Sequence, residues 1–270
     1  MRDDYFIGVH ARELRRLKDQ HAAWEPETRA LWAAAGFGAG HHLADLGSGP
    51  GFSALDLARL VGLSGRVTAL DKASSFLQFL RDEARAQGLA NIDTVEADLT
   101  QLDIIEGRLD GAFCRFFLAF LIDELDRALA CIHRSLKPGG MFAAMEYLTV
   151  SSTTCSPPIP GFDAHTQAWI EYYRRNGGDT SVGTYLPAKL VQAGFRIVSI
   201  DCAGGIARPG ERWWGWWGRL IEDFGDKLAA GGLMAPAELE ALRHGWTAAS
   251  LKPHAFIHTP LLLRIVARKA

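Results

Sequence analysis

The stretch His42-Leu43-Ala44-Asp45-Leu46-Gly47-Ser48-Gly49-Pro50-Gly51 decides the fold of this 270-residue chain. It begins as an apolar strand, passes an acidic residue and ends in Gly-x-Gly-x-Gly, and a helical pattern follows over Phe52–Leu60. Glycine allows a positive φ and the close approach of a ligand to the backbone. The N-terminus of the following helix offers unpaired N–H groups to an acidic ligand group. This order of elements indicates a ligand that contains adenosine.

Strand and helix patterns alternate on the C-terminal side of this stretch. Strands are predicted at His42–Leu46, Arg66–Leu70, Ile92–Ala97, Leu109–Phe116, Met141–Leu148, Phe195–Asp201 and Leu261–Ala267, and helices at Phe52–Leu60, Phe76–Ala86, Asp123–Leu136 and Leu186–Ala193. Strands separated by helices of this length require right-handed crossovers, which produce a parallel sheet covered on both faces. The predicted fold class is α/β: a Rossmann-like, doubly wound, mainly parallel seven-stranded sheet with helices on both faces and a helical cap.

Three segments do not follow this alternation. The first 36 residues predict two helices, the second beginning near Pro26 and ending at glycines. Ser151–Pro160 is rich in Ser, Thr and Pro and is predicted to be a loop, and an aromatic helical piece follows around Trp169. The segment Gly204–Pro260 is predicted to be helical. We interpret the two later segments as insertions over the sheet and not as a second domain.

The overall composition limits the classes of function. Charged residues make up 22% of the chain and the formal net charge is −2, so there is no global basic field for nucleic acid. The charged N-terminus lacks the apolar stretch of a signal peptide, and no run of about 18 apolar residues occurs. The four cysteines form no Cys-x-x-Cys pair, which indicates reduced thiols. We therefore expect a cytoplasmic protein without a nucleic-acid or membrane partner.

The details of the glycine turn distinguish between two classes of adenosine ligand. Dinucleotide-binding proteins prefer Gly-x-Gly-x-x-Gly, whereas the third glycine here, Gly51, comes one residue early. Asp45, just before the turn, would repel a diphosphate but not the ammonium and sulfonium groups of S-adenosylmethionine. The turn therefore favours S-adenosylmethionine over a dinucleotide.

With these residues the chain resembles the class I S-adenosylmethionine-dependent methyltransferases, whose first motif is an acidic residue followed by Gly-x-Gly-x-Gly. The resemblance covers residues 40–148 most firmly. It implies that Asp71 binds both ribose hydroxyls, that Asp98 binds the adenine amino group, and that the end of the fourth strand lines the methyl-donor pocket. The turn Lys137-Pro138-Gly139-Gly140 before the fifth strand is also typical of the family.

The cofactor implied by the resemblance is S-adenosylmethionine. Its predicted site consists of Gln20, Asp45, Gly47, Ser48, Gly49, Gly51, Asp71, Lys72, Asp98, Leu99 and Arg115. Other interpretations stay open: Asp71 as a cap of the following helix, Asp98 as an ordinary loop carboxylate, and Arg115 as the partner of a surface acid.

The acceptor side carries no motif, because methyl transfer from a sulfonium demands positioning and desolvation more than a fixed catalytic group. His165 and Glu146 are the candidates for a general base, with a structural role as the alternative for His165 and a loop-holding role as the alternative for Glu146. His254 and His258 lack a third placed ligand, so we predict no metal. The residues predicted to form the acceptor pocket are Phe116, Phe120, Trp169, Tyr173, Trp213 and Trp217, with core packing as the alternative for those at helical spacing.

The resulting hypothesis divides the chain by role. Residues 1–38 form an N-terminal helical lid, residues 39–150, 185–203 and 261–270 the cofactor-binding core, and residues 151–184 and 204–260 cap insertions that form the acceptor site. The predicted function is methylation of a small, apolar or aromatic molecule at oxygen, nitrogen or carbon. Assembly into a homodimer stays open.

Three rival hypotheses remain at this point. They are a protein or RNA methyltransferase, a protein on the same scaffold that binds the cofactor without methyl transfer, and an NAD-dependent oxidoreductase. The resemblance further implies a last strand that runs antiparallel at the edge of the sheet.

Overall fold

A computed structural model describes residues 11–99 and 107–270 of the protein. The strands are β1 (His42–Leu46), β2 (Arg66–Asp71), β3 (Ile92–Glu96), β4 (Leu109–Arg115), β5 (Leu136–Thr149), β6 (Thr154–Ser156), β7 (Phe195–Ala203), β8 (Ile206–Ala207), β9 (Phe256–His258) and β10 (Leu261–Lys269). The helices are α1 (Ala11–Ala34), α2 (Phe52–Val61), α3 (Ser74–Ala86), α4 (Leu125–Ser135), α5 (Phe162–Arg175), α6 (Leu186–Gln192), α7 (Arg212–Ala230) and α8 (Pro236–Ser250). No described helix combines the length and apolar character that crossing a bilayer requires.

The main sheet has seven strands in the order β3-β2-β1-β4-β5-β10-β7. β1 to β5 are parallel, while β10 is antiparallel to both of its neighbours. The crossovers through α2 and α3 run in one direction along the sheet and the crossover through α4 runs in the other. Because such crossovers are right-handed, α2 and α3 lie on one face and α4 on the opposite face. The predicted fold class is confirmed.

The position of the last strand differs from the expectation. β10 is antiparallel, as the resemblance implied, but it lies between β5 and β7, and β7 forms the edge. The side chains of β10 explain this placement, because Leu262, Ile265 and Val266 are fully buried on a strand covered on both faces. β7, in contrast, leaves Val198 and Ile200 exposed, which suits an edge strand.

The N-terminal segment forms one helix where two were predicted. α1 continues from Ala11 to Ala34 through Pro26, and the first 10 residues of the predicted lid lie outside the described part. Trp24 and Trp32, on either side of the proline, are buried against the rest of the molecule. An interior proline costs about 3 kcal/mol through the lost hydrogen bond. The burial of two tryptophans offsets that cost, so tertiary packing overrides the local signal.

Two further boundaries differ from the predicted ones. The turn Lys137-Pro138-Gly139-Gly140 lies within β5, where it makes a bulge against β4. The segment predicted as helical over 204–260 contains α7 and α8 but also β8 and β9. β9 pairs with both β6 and β8 in a small sheet of order β6-β9-β8. Strands of two or three residues are too short to show a period of two, which is why the sequence did not predict them.

Candidate functional site

A cleft of about 380 Å³ lies at the carboxyl ends of β1, β2 and β4, with α1 along one side. Of the predicted cofactor residues, Gln20, Asp45, Gly47, Ser48, Gly49, Asp71, Lys72, Asp98, Leu99 and Arg115 line it. Gly51 is the exception. The structure therefore brings residues from four strand ends and from the N-terminal helix into one cleft.

The glycine loop is shaped by close packing as well as by backbone conformation. Gly47 has a φ of +66°, and a Cβ atom there would lie 2.2 Å from the ring of Phe117. Gly51 has a φ of +81°, and a Cβ atom there would lie 2.4 Å from Leu80 on α3. Gly47 thus admits an aromatic ring against the loop, whereas Gly51 seats the loop on α3 and does not line the cleft.

Asp45 is the most unusual carboxyl group of the cleft. It is 3% exposed, and its Oδ2 atom has no hydrogen-bond partner among the described residues. Burial raises the pKa of Asp45 to about 7, opposed by the positive charge of Arg115. An unpartnered carboxylate oxygen on the wall of a cleft fits a cationic group of a ligand.

Arg115, at the end of β4, connects the sheet to α1. Its guanidinium donates to Thr28 Oγ1 at 2.8 Å and to His21 Nδ1 at 3.0 Å. His21 Nε2 lies 3.1 Å from Asp56 on α2, and burial lowers the pKa of His21. Because His21 Nδ1 accepts a hydrogen bond, the proton is on Nε2 and the ring is neutral. His21 also lines the cleft, although nothing in its local pattern marked it.

Two acidic residues, Asp71 and Asp98, lie at the end of the cleft where adenosine is predicted to bind, and each has partners within the protein. Asp71 accepts the N–H of Gly49 at 2.7 Å and the N–H of Ala73 at 2.8 Å, so it shapes the glycine loop and the start of α3. A carboxylate has about four acceptor positions, which leaves capacity for ligand hydroxyls. Asp98 lies 2.6 Å from the Nζ atom of Lys72.

A second cavity, of about 40 Å³, adjoins this cleft. The two cavities share four lining residues, Leu17, Gln20, Phe116 and Phe120. The remaining walls of the second cavity are mostly aromatic and consist of Arg16, Tyr147, Trp169, Tyr173, Trp216, Leu220 and Phe224. The cofactor cleft and this aromatic chamber thus lie on either side of a common wall.

Comparison with known proteins agrees with this geometry. Residues 43–140 match the methyltransferase-domain family. The ubiquinone/menaquinone biosynthesis C-methyltransferase of Pseudoalteromonas translucida is 34% identical over 47% of this chain and 49% of its own. The relative of the same name from Pseudomonas paraeruginosa is 28% identical over 69% of this chain and 76% of its own. Residues 43–140 therefore form a methyltransferase domain, in agreement with the resemblance to the class I S-adenosylmethionine-dependent methyltransferases.

The similarity to solved structures covers a larger share of the chain than the sequence matches do. The crystal structure of geranyl diphosphate C-methyltransferase from Streptomyces coelicolor has a TM-score of 0.59 and 14% identity, and it covers 98% of this chain and 89% of its own. At this identity the likeness shows the fold. The chain spans about half the length of the first curated relative and about three quarters of the second. The family, the enzyme class and the cofactor predicted from the sequence are confirmed, and the roles of single residues stay predictions.

The predicted acceptor residues of the methyltransferase divide into two groups. Phe116, Phe120, Trp169 and Tyr173 line the second cavity. Trp213 and Trp217 line neither cavity. Trp217 is fully buried and stacks on Phe162 at 5.5 Å, while Trp213 packs on Trp24 at 5.1 Å. Packing within the cap accounts for Trp217, and packing of the cap against α1 accounts for Trp213.

His165 does not lie in a position to meet an acceptor. It is fully buried, lines neither cavity and packs against Trp217. Neither ring nitrogen has a partner among the described residues. Burial lowers the pKa of His165 to about 4, so the ring is neutral at physiological pH. Its surroundings are those of a core residue.

Glu146 holds a loop. It is fully buried on β5, and its Oε1 atom accepts the N–H groups of Phe117 at 2.8 Å and Leu118 at 2.9 Å. These bonds satisfy the first N–H groups of a short 3₁₀ turn that carries Phe120. Phe116, which comes directly before Phe117, is the one non-glycine residue of the described part with a positive φ, at 54°. Glu146 thus fixes the wall that the two cavities share.

Among residues 11–99 and 107–270, no group of three or more His, Cys, Asp or Glu side chains is arranged to hold a metal ion. The absence of a metal site therefore stays a prediction for the whole chain. In the described part, the groups that could bind a cofactor are the side chains and backbone N–H groups of the large cleft.

Proposed function

We propose that this methyltransferase methylates a small aromatic or apolar molecule that lies along the shared wall and reaches into the second cavity. The observation that carries the proposal is the shared wall, in which Phe116 and Phe120 separate the cofactor cleft from the aromatic chamber. An acceptor held there would lie next to the methyl donor, and such positioning supplies much of the acceleration of a group transfer.

The chain's own residues fit the predicted cofactor. Asp45 offers an unpartnered carboxylate oxygen to the ammonium of the methionine end. Asp71 offers its remaining acceptor positions to the ribose hydroxyls, and Asp98 with Leu99 lies where adenine is expected. When bound, S-adenosylmethionine supplies a methyl group on a sulfonium leaving group. The aromatic wall excludes water, which favours a reaction in which that positive charge is lost.

The division of the chain into lid, core and cap is supported by the origin of the chamber residues. Arg16 and Leu17 come from α1, Trp169 and Tyr173 from α5, and Trp216, Leu220 and Phe224 from α7. The segments 1–38, 151–184 and 204–260 therefore all contribute to the proposed acceptor site. The names of the two curated relatives support carbon as the first nucleophile to test, at a quinone precursor or a similar ring.

The proposal is tested with methyl-tritiated S-adenosylmethionine and a panel of phenols, naphthols and prenylated rings. We expect label in a small aromatic product. Bulk RNA and a peptide mixture are the controls, and label in either would replace the proposal with the rival acceptor class. Tight binding of S-adenosylhomocysteine without transfer to any acceptor would favour the non-methylating hypothesis.

The cofactor assignment has its own test by calorimetry with S-adenosylhomocysteine. We expect Asp71→Ala to bind more weakly than the wild type, because the ribose loses a charged acceptor. Equal affinities in the two proteins would contradict the ribose role of Asp71. A cytoplasmic location and a homodimer remain predictions.

A further inference from the structure

A charged pair lies in the wall of the aromatic chamber. Arg16 is 4% exposed and Glu13 is 6% exposed. The guanidinium of Arg16 donates two parallel hydrogen bonds to the carboxylate of Glu13, at 2.8 and 2.7 Å, and a third to Gln20 Oε1 at 3.1 Å. Arg16 lines the second cavity, whereas Glu13 does not. A molecule in the chamber therefore meets the positive end of the pair.

The other polar groups of the chamber belong to two tyrosines, two tryptophans and Gln20, and each of these side chains carries a donor group. Tyr147 and Tyr173 hydrogen-bond to each other through their hydroxyls, and both line the cavity. Trp216 lines it as well, and its buried Nε1–H has no partner among the described residues. No carboxylate and no histidine in the described ranges lines this cavity. The chamber thus combines apolar walls with groups that suit an oxygen atom carrying negative charge.

We propose that the second cavity recognises an ionised oxygen of the acceptor, such as a phenolate or an enolate, and that Arg16 determines this specificity. The inference rests on the proposed function and names the chemical class of its acceptor. A volume of about 40 Å³ suits the oxygen-bearing end of such a molecule. Its ring would lie along Phe116 and Phe120, toward the methyl donor.

Stability alone gives a weak reason for this pair. Replacing a buried ion pair with apolar residues of similar volume is often neutral or stabilising, because desolvation costs about as much as the attraction returns. An anionic ligand in contact with Arg16 would be attracted strongly by its positive charge, because the dielectric constant of the buried chamber is low. Arg16 and Glu13 also lie on α1, which lines both cavities, so the pair is close to the acceptor site and to the cofactor site.

An ionised acceptor needs no histidine or carboxylate base in the chamber. Its proton is lost to water before binding. In this orientation a ring carbon made nucleophilic by the ionised oxygen donates an electron pair to the methyl carbon. The carbon–sulfur bond breaks with its electrons on sulfur, and the negative charge and the sulfonium charge cancel. The ring proton at the methylated carbon then leaves to water and aromaticity returns.

The test uses the protein saturated with S-adenosylhomocysteine and two probes, 4-nitrophenol and 4-nitroanisole. The probes share a ring, but only the phenol ionises, and its anion absorbs visible light. We expect the wild type to bind 4-nitrophenolate at least about 10-fold more tightly than 4-nitroanisole, the size of one charge-assisted hydrogen bond. We also expect the apparent pKa of the bound phenol to fall.

Three variants separate recognition from folding. Glu13→Gln with Arg16→Met removes both charges without leaving one buried alone, and we expect it to lose the preference for the phenolate. Glu13→Gln alone removes the opposing charge, and we expect it to strengthen the preference. The matched control is Glu171→Gln with Arg174→Met, which removes a pair of the same spacing from the exposed surface of α5 and should change nothing. The free energy of unfolding in urea reports on folding in each case.

Equal binding of the two probes by the wild type, no binding of 4-nitrophenolate, or a preference that survives in the double variant would overturn the inference. A wild type that methylates an aromatic acceptor but does not distinguish the probes would leave the proposed function standing. A wild type that prefers the phenolate but transfers no methyl group would support anion recognition and contradict the proposed function.

Discussion

The cofactor cleft and the aromatic chamber share a wall but are built in different ways. The cleft is formed by backbone turns at adjacent strand ends, and its acidic residues Asp45, Asp71 and Asp98 each follow or end a strand. The chamber is formed by side chains from α1, α5, α7, β5 and the turn after β4. The topology of the sheet therefore positions most of the first, whereas the second depends on how three helices pack over that sheet.

Because of this difference, we expect the cleft and the chamber to respond differently to single substitutions. In the cleft, a single added methyl group or a lost charge should weaken cofactor binding strongly, because the glycine loop is tightly packed. In the chamber, several aromatic side chains share the contact, so one substitution removes only part of it. The four predictions that follow test this contrast from the largest expected effect to the smallest.

Substitution of Gly47 by Ala should have the largest effect on cofactor binding. The residue has a positive φ, and the added Cβ would overlap the ring of Phe117. We expect roughly 100-fold weaker binding of S-adenosylhomocysteine by calorimetry, since the strain of about 1–2 kcal/mol adds to the displaced ring. Gly62→Ala is the matched control, because φ is +67° there and nothing lies within 4 Å of the added atom. Equal losses in both variants would show that backbone strain alone, and not the packing of Phe117, controls the loop.

Substitution of Asp45 by Asn should have the next largest effect. We expect roughly 10-fold weaker binding of S-adenosylhomocysteine, through loss of a charge-assisted hydrogen bond of about 1.5–3 kcal/mol. The wild type should also bind more tightly as the pH rises through about 7, where Asp45 ionises. Calorimetry at about pH 6 and about pH 8 measures the slope, which Asp45→Asn should flatten. An unchanged slope in this variant would assign the effect to another group.

Glu146 tests the shared wall itself. Glu146→Leu removes the acceptor of two N–H groups, and we expect a loss of about 2–3 kcal/mol in urea unfolding and a lower turnover. Glu146→Gln retains an acceptor oxygen and should keep most of the turnover, whereas a general base would lose it. Burial raises the pKa of Glu146 to about 7, so the folded state keeps a proton that the unfolded chain loses near pH 4.5, and stability falls as the pH rises from about 4.5 to about 7. Glu146→Gln should therefore lose less stability over that range than the wild type.

His165 is expected to give the smallest effect. Replacement by Leu removes a buried ring with two unpaired nitrogens, so the free energy of unfolding should stay within about 1 kcal/mol of the wild type at neutral pH, with turnover unchanged. In acid the difference grows, because the pKa of His165 is about 4 in the folded state and stability is lost as the pH falls from about 6.5. The variant should resist acid unfolding better. A loss of turnover with a normal unfolding curve would contradict the core assignment.

Much of the cofactor side could be predicted because its signals are local. Asp45, the glycines and Asp71 occur next to strand ends that the apolar pattern already marks. His21 lines the same cleft but was missed, since its position depends on the packing of α1. On the chamber side, Trp216 and Trp217 are neighbours on one helix, and only the angle of α7 over the sheet decides which of them lines the cavity.

The place of β10 has a consequence for synthesis on the ribosome. β7 has only one neighbour in the main sheet, β10, which is made about sixty residues later. While β7 leaves the exit tunnel, the five parallel strands can already associate and form the glycine loop, but β7 has no place to dock. The strand and its exposed Val198 and Ile200 must wait until Leu261–Lys269 has emerged. A pause in translation within α7 or α8 would prolong the time in which this strand can pair with another nascent chain.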